Sequence, residues 1–120
     1  MLVNWIGYHA LKKDNIDRYA PNDAGIYKIS VELQSGNLRP IYVGQTESIS
    51  GRLSQYVYED TDNVCLVQHM REHNCFFKVT KLSSSVDRDA GERALYNHYK
   101  TECNDPDKVP NVLPLDINLD

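Results

Sequence analysis

Tyr27, Tyr42, Arg52 and Glu92 are the residues of this chain whose types and settings invite a chemical reading. Tyr27 ends the tripeptide Gly25-Ile26-Tyr27, and Tyr42 begins Tyr42-Val43-Gly44. Arg52 follows on an apolar-periodic segment, with Tyr56 one helical turn further on. Glu92 stands among Gly91, Ala94 and Leu95. A phenol can donate or accept a hydrogen bond, a guanidinium holds an anion in a planar fork, and a carboxylate can ligate a hard cation. Each residue also has an ordinary explanation. Tyrosine favours strands, Arg52 could be a solvated helix residue, and Glu92 could simply pair with Arg88 or Arg93 at helical spacing. Asn111, after Pro110, could be only a turn residue.

The elements that must position these groups can be read from periodicity. Ile29, Val31 and Leu33 alternate with Lys28, Ser30 and Glu32, which predicts a half-buried strand opening at Gly25. Gln34-Ser35-Gly36-Asn37 is a turn, and residues 38–43 return as a second strand, with Pro40 indicating an edge or a strand start. In such a hairpin the start of one strand lies beside the end of the other, so Tyr27 and Tyr42 share one end. Ser48 or Ser50 can cap a helix over about 49–58, carrying Arg52 and Tyr56. A second helix is expected over about 62–73, closed by a left-handed Asn74. Residues 75–82 read as a third strand and 86–101 as the longest helix, carrying Glu92. Gly91 inside that helix costs about 1 kcal/mol against alanine, which close packing beside Glu92 would explain. The expected order is β-β-α-α-β-α: an α+β fold with a small antiparallel or mixed three-stranded sheet flanked by helices. Residues 1–23 are expected as a lead-in packing on a domain of residues 24–112. The Pro-rich tail, 113–120, is expected to be extended, wrapping or fraying.

A chain of 120 residues has room for one domain. Thirteen Lys and Arg against seventeen Asp and Glu give a net charge of −4, which excludes a polybasic nucleic-acid coat. No run of 18 apolar residues exists, so no membrane association is expected. The first residues lack a basic leader, and three cysteines are an odd, sparse set. They read as reduced thiols and point to the cytoplasm, or to the host cytoplasm for an element carried by a phage. The eight tyrosines are an excess that composition alone cannot divide between packing and chemistry.

Taken in order, Gly25-Ile26-Tyr27, Tyr42-Val43-Gly44-Gln45-Thr46, Arg52-Leu53, Glu92 and Pro110-Asn111 resemble the GIY-YIG nuclease family over about residues 24–112. The resemblance implies hydrolysis of DNA phosphodiesters with one divalent ion, Mg²⁺ or Mn²⁺. It implies that Tyr27 is the general base or aligns the attacking water, and that Tyr42 helps position water and phosphate. Arg52 would clamp the phosphate and Glu92 would be the sole protein ligand of the metal. Asn111 matches a late asparagine that orients site groups in some members. Tyr56 stands where many members have histidine and some repair-type members have tyrosine. Val43 replaces the usual isoleucine, the turn at residues 34–39 is longer than in many members, and no separate DNA-binding domain is expected. Single-domain nucleases often dimerise to cut both strands, so a homodimer is a further expectation.

Two other readings come from different classes. A catalytically weak or inert domain of the same fold could bind nucleic acid or protein, although such a domain would be expected to have lost the arginine or the carboxylate. Cys65, His69, His73 and Cys75 are zinc-type residues, and the first three share one helix face. Two helical turns spread three such ligands over about 12 Å, too far for one tetrahedral ion, although a pair at i, i+4 could bind.

Overall fold

The computed structural model describes residues 1–119. Its elements are β1 (Ile6–Ala10), α1 (Lys13–Tyr19), β2 (Gly25–Glu32), β3 (Leu38–Thr46), α2 (Ile49–Val57), α3 (Val64–Glu72), β4 (Cys75–Lys81) and α4 (Ser85–Tyr99), with a short 3-10 turn at Pro106–Lys108. The sheet has four strands in the order β1-β4-β2-β3, and every neighbouring pair is antiparallel.

The sheet therefore has one strand more than the sequence suggested, because the lead-in supplies both β1 and α1. Neither announces itself by pattern. The register of β1 against β4 is broken between Gly7 and His9, and Gly7 has a positive φ, so there is no clean alternation to read. Helix α1 buries only Ile16 among polar neighbours, which leaves no apolar stripe. The alternation of β2 is likewise deceptive. Lys28 and Ser30, on its nominally polar face, are as buried as Ile29 and Val31, because β2 is a central strand with helix and tail covering that side.

Strand β3 is an edge, as Pro40 predicts. Ile29 faces Tyr42 while Ser30 faces Pro40, so Ile41 is an extra residue, a bulge next to Tyr42. The exposed rim of β3 is covered by the loop after α4. There Cys103 N–H donates to the Ile41 carbonyl at 2.9 Å, and Asn104 bonds both the N–H and the C=O of Val43, at 2.9 and 2.8 Å.

One face of the sheet carries the larger core: Tyr27, Ile29, Val31, Phe77 and Val79 pack with Ile16, Ile49, Leu53, Tyr56 and Leu66 from the first three helices. The other face buries Ile26 and Val43 under Leu95, with Trp5, Tyr96 and Tyr99 around them. The tail wraps rather than frays. Leu115 N–H bonds the Ala90 carbonyl at 2.9 Å, and the Asn118 side chain pairs with both backbone groups of Val3.

Two local expectations are corrected. Helix α3 ends at His73 in an extended conformation, and Asn74 is not left-handed; the left-handed cap belongs to Lys100, after α4. The three cysteines are not all free thiols, because Cys65 and Cys103 form a disulfide and only Cys75 remains free. Nothing in sequence spacing tells that Cys103 closes on Cys65, since the contact is made by α3 meeting the loop after α4.

Candidate active site

The site is built outward from the β2–β3 pair. Tyr27 lies opposite Gly44, and Tyr42 lies opposite Ile29, so both rings project from the same face. Gly44 is required there by space. A Cβ at that position would sit 2.5 Å from the Tyr27 hydroxyl, so a side chain would displace it. The Tyr27 and Tyr42 ring centroids are 6.2 Å apart.

Helix α2 adds the third phenol and the cation. Ser48, one of the two serines expected to cap it, accepts from Gly51 N–H at 3.3 Å. Leu53 and Tyr56 are buried on the sheet side, which turns Arg52 toward the open side of the same turn. The Tyr56 and Tyr27 hydroxyls are 2.7 Å apart, and the Tyr42 and Tyr56 rings meet edge-to-face at 6.2 Å. The Arg52 guanidinium lies 5.1 Å from the centre of the Tyr56 ring, and its Nη1 donates to Gln55 at 2.8 Å.

Helix α4 brings Glu92. Gly91, next to it, allows the close approach expected from the sequence: a Cβ there would stand 3.0 Å from Ile26 Cδ1. The Glu92 carboxyl, nearly buried, faces the Gln45 side chain, and Gln45 in turn donates to Asp89, one turn earlier on α4. Arg93 points elsewhere, donating to the carbonyls of Pro110 and Val109 at 2.8 and 3.2 Å.

Tyr27, Tyr42, Arg52 and Glu92 line one polar cavity of about 540 Å³ together with Gly44, Gln45, Asp62, Asn63, Asn104, Asp105 and Lys108. Tyr56 stands behind that wall, reaching it through Tyr27. Asn111 does not line the cavity; it is exposed on the segment that Arg93 holds against α4. The late asparagine at the cavity is Asn104. A more apolar cavity of about 390 Å³, lined by Leu11, Val57, Met70 and Phe76, holds none of these groups.

Asp89, Gln45, Asn104 and Lys108 were not singled out from sequence. Asp89 had a usable signal, since it sits three residues before Glu92 on the same helix face. Gln45 directly follows Gly44. Asn104 and Lys108 had none, because they reach the site from the irregular chain after α4.

The cavity's electrostatics follow from burial. Tyr27 is held well above the ordinary phenol range, first by burial and then by Tyr56 and Tyr42, with the Arg52 hydrogen bond opposing. Tyr42 is raised for the same reasons, with Glu92 adding to them. Burial acts against the Arg52 charge, yet Tyr56 and Tyr27 outweigh it and keep the guanidinium protonated. Burial pushes Glu92 up to about 7; Gln45 and, more weakly, the Arg93 charge oppose this, and Asp89 adds to it. Among the described residues no Lys or Arg forms a salt bridge with Glu92. A desolvated carboxyl beside a second acid, with no salt-bridged cation on it, fits a hard divalent ion.

The four-residue zinc cluster does not assemble. Cys75 lies buried on β4, and the metal-spaced group among the described residues is Cys65, His69 and Cys103, without His73 or Cys75.

No family model matches the chain, and no curated protein matches it in sequence. A solved structure is similar to it: the GIY-YIG N-terminal endonuclease domain of UvrC from Thermotoga maritima, a point mutant bound to its catalytic divalent cation. The TM-score is 0.58 at 20% identity, over 78% of this chain and 93% of that domain. The chain therefore has a GIY-YIG fold, an α+β antiparallel sheet flanked by helices.

Proposed function

We propose that this GIY-YIG-fold chain is a DNA endonuclease that hydrolyses phosphodiester bonds in the cavity of Tyr27, Tyr42, Arg52 and Glu92 with the help of Mg²⁺ or Mn²⁺. The observation that supports it most is convergence. Four side chains from β2, β3, α2 and α4 reach one polar cavity, on the fold of a nuclease domain.

Glu92 would hold the ion, with Gln45 and Asp89 steering its carboxyl. The ion's contribution would be to neutralise charge on the scissile phosphate and polarise its leaving oxygen. Arg52 bonds Gln55 through Nη1 and also the Tyr27 and Tyr56 hydroxyls, and of its five N–H donors those remaining can turn onto a phosphate oxygen as negative charge develops. Tyr27 and Tyr42 stand in the site as neutral phenols, because burial holds both protonated. Tyr27 therefore supports aligning a water more readily than standing by as a phenolate. As a base it would have to pass its own proton onward, and the adjoining Tyr56 hydroxyl is another buried phenol, so as the aligning group Tyr27 leaves the water's proton to solvent. As the water oxygen bonds to phosphorus the P–O ester bond breaks, and the leaving oxygen takes a proton from solvent, which balances the one the water gives up.

The test is digestion of supercoiled, linear, branched and single-stranded DNA with Mg²⁺ or Mn²⁺ and with EDTA. Metal-dependent nicking that is lost in Arg52→Ala is expected. An inert nucleic-acid-binding module of the same fold would instead bind these DNAs and cut none of them, with either ion.

A further inference from the structure

The Cys65–Cys103 disulfide has a third member. Cys65 and His69 are one turn apart on α3, and Cys103 comes from the loop after α4. The two sulfurs and a ring nitrogen of His69 all lie within 4.8 Å of one another. The two nitrogens of His69 have different settings. Nε2 is 3.2 Å from a Glu102 oxygen, and that oxygen also accepts from Arg39 at 2.7 Å. Nδ1 is buried and has no hydrogen-bond partner among the described residues. A buried ring nitrogen without a partner is left desolvated and unpaired, so it calls for an occupant.

The arrangement has the parts of a metal site. Two sulfurs and one imidazole nitrogen suit zinc, and a carboxylate on the far nitrogen of a ligating histidine fixes its tautomer and orientation. The cavity's acids, by contrast, are oxygen donors suited to Mg²⁺ or Mn²⁺. The scaffold does not depend on the sulfur–sulfur bond alone. Cys103 N–H is tied to Ile41, and its carbonyl accepts from the Asn63 side chain at 3.1 Å. Sulfurs sharing a tetrahedral zinc stand about 3.8 Å apart, given Zn–S bonds of about 2.3 Å, so modest opening of the clasp admits the ion.

We propose that Cys65, His69 and Cys103 bind one zinc ion when the disulfide is reduced, so that disulfide and zinc are alternative states of the same clasp. A dithiol reductant supplies the two electrons. It becomes a disulfide while Cys65 and Cys103 become thiols, and these then release two protons as their sulfurs bond to zinc through the thiolate form. His69 gives its Nδ1 lone pair, Glu102 keeps the Nε2 proton in place, and water completes the four positions. The proposal stands apart from the nuclease reading. Its site nonetheless adjoins that cavity, because Cys103 lines both and its loop fastens β3 on either side of Tyr42.

The experiment uses the full chain, reduced without air by a phosphine that is then removed, and titrated with Co²⁺ as the spectroscopic probe before Zn²⁺ is added. One equivalent should give a thiolate-to-cobalt charge-transfer band with the intense visible bands of four-coordinate cobalt, and Zn²⁺ should abolish both. The disulfide form should give no such band, and Cys75→Ser should behave like the parent. His69→Ala should bind at least about tenfold more weakly. Cobalt held only at Glu92 has no thiolate band, so the two sites are read separately. The proposal is overturned if the reduced chain shows no thiolate band, if Cys103→Ser keeps it at full strength, or if Cys75→Ser loses it. If reduction unfolds the chain, recovery of helix circular dichroism on adding Zn²⁺ supports the site, and failure to recover overturns it.

Discussion

Replacing Glu92 with glutamine should make the metal-free protein more stable while destroying its cleavage activity. In the folded chain burial raises this carboxyl from 4.5 to about 7. The native state therefore binds an extra proton between those two values, and stability falls as the pH rises from about 4.5 through about 7. At about 1.4 kcal/mol per pH unit the full difference is roughly 3 kcal/mol. Water at the cavity mouth screens the group, which reduces this to about 2 kcal/mol. Glutamine keeps the shape and carries no charge, so its advantage should be near zero at pH 4.5 and fully present by pH 8. For a chain of this size 2 kcal/mol corresponds to about 8 °C in Tm. Thermal melts of both proteins in EDTA across this range measure the difference. Adding Mn²⁺ at pH 8 should raise the Tm of the parent and leave Glu92→Gln unchanged, because the ion binds only the folded form. A parent and variant that melt together at pH 8 in EDTA would refute the desolvation argument. An equal Mn²⁺ response in both would refute Glu92 as the ligand.

Three further outcomes follow from the site. Tyr27→Phe deletes only the hydroxyl, so the chain should stay folded while single-turnover cleavage falls by about 10²–10⁴-fold; full activity would remove Tyr27 from the chemistry. Gly44→Ala puts a methyl 2.5 Å from the Tyr27 hydroxyl and should cost about 1–3 kcal/mol in urea melts along with most of the cleavage. Short duplex DNA should bind weakly in EDTA and more tightly with Ca²⁺, by fluorescence anisotropy at fixed salt; equal affinity in both would show that the cavity needs no cation to admit a phosphate.

The parts of the fold legible in the sequence are those whose pattern is local. The β2–β3 hairpin shows in alternation and turn residues, α2 in its serine cap, and α4 in its length. Tyr27 and Tyr42 come together because antiparallel pairing is a local rule. What was illegible depended on distant chain. Strand β1 hides because Gly7 breaks its register, and α1 because a single buried isoleucine leaves no stripe. Lys28 looks solvent-facing in the alternation, yet it lies beneath the tail, with its amine 2.8 Å from the Tyr99 hydroxyl and 4.6 Å from that ring's centre. The Cys65–Cys103 pairing and the placing of Asn104 and Lys108 all come from the loop after α4, whose path no periodicity encodes. Asn111 shows the converse. Its position after Pro110 matched a motif, but Arg93 anchors that segment by its carbonyls and leaves the asparagine in solvent.

The net charge of −4 takes on a specific meaning at the cavity. Asp62, Asp105 and Glu92 line it against Arg52 and Lys108, with Asp89 close behind through Gln45. At a pH above that of Glu92 ionisation the acids outnumber the bases, so a phosphodiester entering the bare site meets repulsion that Arg52 alone does not cancel. A divalent cation held at Glu92, as proposed, would reverse that balance and relieve the desolvated carboxylate. The charge that makes the cavity a poor anion site is therefore, on this proposal, the charge that would make it a cation site. On the proposed reading cation binding and DNA entry are thermodynamically linked, each strengthening the other, and the acidic remainder of the chain keeps affinity low wherever the cation is absent.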